Sequence, residues 1–169
     1  MDNDYVGKIV AVIGAVFCLF ILPLVVISLR TEYMTQSAIE KEIVEFVDNA
    51  RSTGKVTQSA YENFNESIAM WQSYLDVQMV HSSRMAIPDA TSGYEIYYED
   101  FSRNDILDAI YNNGEEYRMR NGDFFAVTVM NVEPTLATRL YRVLIPNYNE
   151  SGISVYATHN GMVGNYVED

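Results

Sequence analysis

The chain has 169 residues, with 11 Lys+Arg against 23 Asp+Glu, a formal net charge of −12 at pH 7 and a sequence pI near 4.4. Phosphate neutralisation needs clustered Lys and Arg, so this balance argues against nucleic-acid binding and against electrostatic docking on anionic lipid. A hydrophobic content of 49% excludes a disordered chain, and a single cysteine, Cys18, excludes an intrachain disulfide and a cysteine-cluster metal site.

Residues Ile9–Leu29 form a run of 21 without a charge, closed by Lys8 and Arg30. As a helix rising about 1.5 Å per residue, the run is roughly 31 Å long, which matches the hydrocarbon core of a bilayer. It exceeds the apolar region of a cleaved signal peptide, about 7–15 residues, and no small-x-small cleavage site follows. Residues 1–30 therefore read as a tail and a retained single-pass anchor, contacting membrane lipid through residues 9–29. Pro23 is tolerated in a span but predicts a kink, and Cys18 sits mid-span as a small apolar filler. Lys8 and the terminal amine on one flank balance Arg30 and Lys41 on the other, so the basic flanks do not orient the span. The acids are lopsided: the residues through Arg30 sum to zero, and the whole −12 falls within residues 31–169. An acidic, cysteine-free domain rich in Tyr, Thr and Asn predicts an extracytoplasmic head on a bacterial cell membrane.

No Pro or Gly interrupts the chain from Arg30 to Gly54. Ile39, Ile43, Phe46, Val47 and Ala50 recur on one helical face, with Lys41, Glu45 and Asp48 opposite. The span therefore continues as an amphipathic helix, a rod of about 42 residues over 9–50, or roughly 63 Å, stopped by Gly54. Its apolar face can pack on its own head or on the equivalent helix of a partner. These five residues are the candidate partner-packing set. A second helix follows, capped by Ser59 and Glu62, with Tyr61, Phe64, Ile68 and Trp71 on one face, folding back as a helical hairpin.

From Leu75 the period falls to two, with Leu75, Val77 and Met79 alternating against Asp76 and Gln78. A loop at 88–93 leads into a Tyr-rich strand over 94–99. Ser102 and Asp105 predict a capped helix burying Ile106, Leu107, Ile110 and Tyr111 and ending at 112–114. Asn121-Gly122 predicts a hairpin between 116–120 and 124–132, and the latter segment, apolar on both faces, reads as a central strand. Pro134 opens a helix with Leu136, Leu140, Val143 and Leu144 on one face, stopped by Pro146. A strand over 153–158 ends at a turn, Asn160-Gly161. The expected fold is α+β: a single transmembrane helix continuing into a long amphipathic helix, a helical hairpin, then a small, mostly antiparallel sheet with two short helices.

Little of this carries chemistry. His81 reads as ending a strand and His159 as preceding a turn, and neither accompanies a nucleophile motif such as GxSxG. Glu95, Glu99, Asp100, Glu115, Glu116 and Asp123 offer carboxylates for glycoside chemistry, but no spacing fixes a pair. Asp89, Glu99, Asp100 and Asp123 offer oxygen ligands for calcium without a DxDxDG-like loop. Arg139 and Arg142, with Arg118 and Arg120, are local basic concentrations that either meet an acidic neighbouring subunit or snorkel over their own core. No catalytic residue, cofactor or metal is expected.

The run Gln36-Ser37-Ala38 through Val44-x-Phe46-Val47-Asp48-x-x-Arg51-x-x-Gly54-Lys55-x-Thr57, followed by Tyr61-x-x-Phe64, resembles Tad-type minor pilin-like subunits, the TadE and TadF group of Firmicutes, over residues 6–70. An N-terminal anchor running into an amphipathic helix and a small α+β head likewise resembles type IV pilins and pseudopilins. Those pilins carry a basic leader ending in glycine and a glutamate at the fifth position of the apolar run. Here Lys8 follows Gly7 and Val10 to Ile13 include no acid. The resemblance implies a non-enzymatic, retained accessory subunit of a pilus or secretion assembly, associating with itself or with other subunits. The alternative is a membrane-anchored extracytoplasmic binding module using an acidic, tyrosine-rich surface.

Overall fold

The computed structural model describes residues 3–72, 74–88, 93–112, 114, 116–145 and 156–164. The expected loop positions 89–92, the Asn113 helix end, the Pro146 stop and the beginning of the last strand at 153–155 lie outside them.

A single helix, α1 (Asn3–Thr53), runs for 51 residues, about 76 Å, passing through Pro23 without a break. A proline inside a helix removes one amide donor, a loss that local adjustment of the backbone accommodates. Gly54 ends α1 at φ 67°, a left-handed conformation that glycine adopts without strain. The helix is long and apolar enough to cross a membrane, and the most apolar stretch is entirely unburied. After the two-residue strand β1 (Lys55–Val56), α2 (Gln58–Trp71) returns antiparallel along α1. Its cap is Thr57, whose hydroxyl accepts from the Ala60 amide at 3.2 Å, two residues before the expected Ser59. Glu62, the expected capping partner, instead accepts from Gln58 at 2.9 Å. Tyr61, Phe64 and Ile68 are buried as their spacing requires, while Trp71 remains half exposed.

The main sheet is antiparallel throughout, in the order β3-β2-β5-β6. Its strands are β2 (Leu75–Ile87), β3 (Glu95–Ser102), β5 (Phe124–Asn131) and β6 (Tyr156–Met162). Between β3 and β5 lie α3 (Arg103–Tyr111) and β4 (Tyr117–Arg118); α4 (Leu136–Leu144) joins β5 to β6. β5 is central, as an apolar strand on both faces demands. Val77, Met79, Phe125, Val127, Val129 and Ala157 point to one face and meet Ile39, Ile43, Phe46 and Val47 of α1, forming with α2 and α3 one continuous core. α3 begins as expected: the Asp105 carboxylate accepts from both the Ser102 amide and hydroxyl at 2.7 Å. Ile106 and Ile110 are buried; Tyr111 lies nearly half exposed, its hydroxyl on Glu62.

Two expectations are corrected by strand pairing. Asn121-Gly122 does turn the chain, with the Asp123 amide on the Arg120 carbonyl at 3.1 Å, but β4 pairs with β1, not β5. The Gly54 carbonyl accepts from Met119 at 2.8 Å and so carries β4 to the α1–α2 connection. Asn160-Gly161 stays extended inside β6, opposite Ala126 and Phe125. Finally, α4 turns the face carrying Leu136 and Val143 outward and packs the small side chains of Ala137 and Thr138 inward.

Candidate functional site

The five residues offered for partner packing all go into the chain's own head. Ile39, Ile43 and Val47 are 0% exposed, and Phe46 and Ala50 nearly so. Phe46 stacks on Phe64 at 4.5 Å between centroids and meets Phe125 edge-on at 6.3 Å. The sheet and α2 present matching apolar surface across this helix face, so intramolecular burial takes the area a partner helix would need. What α1 leaves open is its apolar N-terminal half, where residues from Tyr5 to Ile27 stand largely exposed.

A polar cluster sits where no catalytic or binding residue was expected. The inward phase of β2 continues past Val77 and Met79 to His81 and Ser83, so His81 lies mid-strand and is buried, not exposed at a strand end. Asp123, first after the Asn121-Gly122 turn, is brought beneath it. His81 Nε2 lies 2.9 Å from Asp123 Oδ2, and His81 Nδ1 2.7 Å from the Tyr117 hydroxyl. With Nε2–H donating to the carboxylate, Nδ1 accepts from the Tyr117 O–H, so both ring nitrogens are engaged. Asp123 also accepts from the Arg120 amide at 2.8 Å, the Arg84 amide at 3.1 Å and the Ser83 hydroxyl at 3.3 Å. Phe101 stacks on the imidazole at 5.4 Å. Burial pushes the Asp123 carboxyl up, but the hydrogen bonds from Arg120, His81 and Arg84 outweigh it and hold the group below its ordinary 3.8. Burial, reinforced by the charges of Asp105, Asp123 and Glu99, pushes the Tyr117 phenol well above its ordinary range. A phenol held protonated is a poor nucleophile, and a carboxylate saturated with donors is a poor base. The cluster closes on itself and bolts the β4–β5 turn to β2. Extending the period-two pattern of β2 by two residues places His81 inward, but its partners Tyr117 and Asp123 lie 36 and 42 positions away.

The other candidates are dispersed. His159 is a strand residue of β6, 3.2 Å from Asp48, which also pairs with Arg51 at 2.9 Å. Arg51 donates through Nε to the Met162 carbonyl at 2.8 Å, clamping the end of α1 on β6. Glu116 takes Lys55 at 2.8 Å, whose hydrogen bond holds its carboxyl below the usual range. Asp100 accepts from Ser82, while Glu95 and Glu99 lie along the edge strand β3. Asp89 and Glu115 lie outside the described residues. Among the described residues, no three His, Cys, Asp or Glu side chains are grouped to hold a metal ion. Arg139 pairs with Glu133 at 3.3 Å and Arg118 with Glu116 at 3.8 Å, local acids in both cases. No family model, no curated protein and no solved structure matches this chain.

Proposed function

We propose that the chain is a non-enzymatic, membrane-anchored structural or accessory subunit of a pilus-like or secretion assembly, of the Tad or type IV kind that residues 6–70 resemble. The observation that carries this reading is α1, which is bare and apolar through its first half and the central core element of the head through its second. A rod continuous with a folded head fixes the height and orientation of that head over the bilayer. Its uncovered half offers neighbours a lateral surface. In lipid, helices associate by close packing, and the surroundings of Gly7 and Gly14 are open to another backbone. The closed hydrogen bonding around His81 supports a role without catalysis. The head faces the extracytoplasmic side.

The test is a photoreactive side chain at Phe17, which is 54% exposed within the bare half. Irradiated in its native cells, the full chain should give discrete protein adducts. Adducts with lipid alone would overturn lateral assembly.

One observation favours the second reading, an anchored binding module. The edge strand β3 and its approach expose Tyr94, Tyr97 and Tyr98 beside Glu95 and Asp100, with one strand edge unpaired among the described residues. A rise in melting temperature of the full chain on adding calcium favours this module. An unchanged melt with calcium removes its cation form.

A further inference from the structure

We infer that α4 is an interfacial helix, and that the base of the head docks through it on the same bilayer that α1 crosses. The inference rests on reading residues 9–29 as a membrane span.

Placement is the first argument. Thr135, the N-cap of α4, donates its hydroxyl to the Glu32 carboxylate of α1. Glu32 is three residues beyond Leu29, about 4.5 Å along the helix axis. The headgroup layer on each side of a bilayer is roughly 5–8 Å deep, so the start of α4 falls within it. The overlap reaches further: Leu24 and Ile27, inside the charge-free run, border the same hollow as Trp71, Leu136 and Ala137. Ser28 is buried there. A bilayer around residues 9–29 therefore meets α4.

The second argument is the chemistry of the outward face. A nine-residue helix that buries Ala137 and Thr138 while leaving Leu136 65% and Val143 81% exposed has its apolar side turned the wrong way for water. The same end of the head exposes Trp71 at the foot of α2, and Tyr74 and Val132 where the Val132 amide meets the Tyr74 carbonyl. Large apolar side chains collected at one end of a domain mark a contact surface. This one is continuous with the lipid-facing surface of α1.

Charge is the third. The chain as a whole is at −12, yet Arg142 extends from the last turn of α4 and Arg30 closes the span at the same level, while Arg139 is held by Glu133 and the Pro134 carbonyl. Long basic side chains flanking an apolar stripe reach headgroup phosphates while their stems stay in the interface. The apolar area supplies the attraction, and the arginines supply local complementarity that the net charge conceals.

Trp71 is the only tryptophan and Cys18 the only cysteine, so each reports on one half of the question. The full chain is reconstituted into vesicles of phosphatidylcholine and phosphatidylglycerol brominated on the acyl chains. Docking predicts that Trp71 emission is quenched by the brominated lipid and shielded from aqueous iodide, while Cys18 resists a water-soluble maleimide. The double substitution Leu136→Glu/Val143→Glu, at exposed positions, should abolish the lipid quenching and leave Cys18 protected. Iodide access with no lipid quenching, Cys18 still protected, overturns the docking and leaves the span intact. Shielding from both quenchers means a second copy covers the base, which also overturns it. Persistent lipid quenching in the double variant assigns the contact to α1 alone and removes α4 from it. Labelling of Cys18 overturns the span itself, and the docking with it. Should the double variant not fold, the single substitution Val143→Glu, at a position 81% exposed, makes the same comparison.

Discussion

Asp123 accepts from four donors, two of them backbone amides on separate segments, and so does the work of several turn contacts at once. Asp123→Ala leaves those donors and His81 buried without an acceptor. The substitution should lower the stability of the head by about 2–4 kcal/mol, read from unfolding of the full chain in detergent micelles. The pH dependence has a definite sign. Because the folded carboxyl is held below its ordinary 3.8, its contribution is complete above that value and is lost as pH falls through the lower folded value. Asp123→Asn should flatten the acid limb of the stability–pH curve, and an unchanged limb would rule the carboxylate out as its source. Gly161 shows a different coupling. A methyl group there runs into the Arg51 guanidinium, the group that holds the Met162 carbonyl. Gly161→Ala should therefore cost about 1 kcal/mol in the native chain and much less once Arg51→Ala has removed the clamp. Equal costs in both backgrounds would refute the coupling.

At the scale of the element, α1 is two helices by environment and one by backbone. Ile43 is fully buried in the core that α1 shares with α2 and the sheet, and Ile43→Ala should destabilise the head by about 2–5 kcal/mol. Phe17→Ala, on the bare half, should leave the same melt within about 0.5 kcal/mol. If Ile43→Ala were equally silent in the isolated chain, its face would be serving a partner and not the head. The end of α1 is legible in sequence because Gly54 requires only local conformation. The cap of α2 is less so, since Thr57 and Ser59 both suit an N-cap and only the geometry leaving β1 selects the former. Helix α4 shows the limit of periodicity. Its apolar face is plain from spacing, but spacing says nothing about which side meets the rest of the chain.

Over the whole molecule, the bare apolar half of α1 precedes the part of the same helix that is built into the head core. The exposed apolar residues come first along the chain, the α1–α2–sheet core follows, and β3 forms one edge of the main sheet. An extracytoplasmic head predicts that Glu95→Cys, placed in a Cys18→Ser background, is labelled in intact cells by a membrane-impermeant maleimide. Labelling only after lysis would place the head in the cytoplasm and overturn the surface reading. Glu95 suits this reporter because it is exposed on β3.

Local and linear features were decided by sequence alone. A charge-free run of 21 residues is long enough to span, a period of 3.6 followed by a period of 2 separates helices from strands, and a doubly apolar segment demands a central strand. Each depends on nearest-neighbour geometry or on the sum of side-chain transfer energies, both of which are readable along the chain. Only the tertiary structure decided where each surface goes: Ile39 and Ile43 into the chain's own core, His81 onto Asp123 across 42 positions, β4 onto β1, and the apolar face of α4 outward beside the span. Such pairings depend on which distant surfaces compete for the same area and the same hydrogen-bond donors. That competition is settled only when the chain closes on itself.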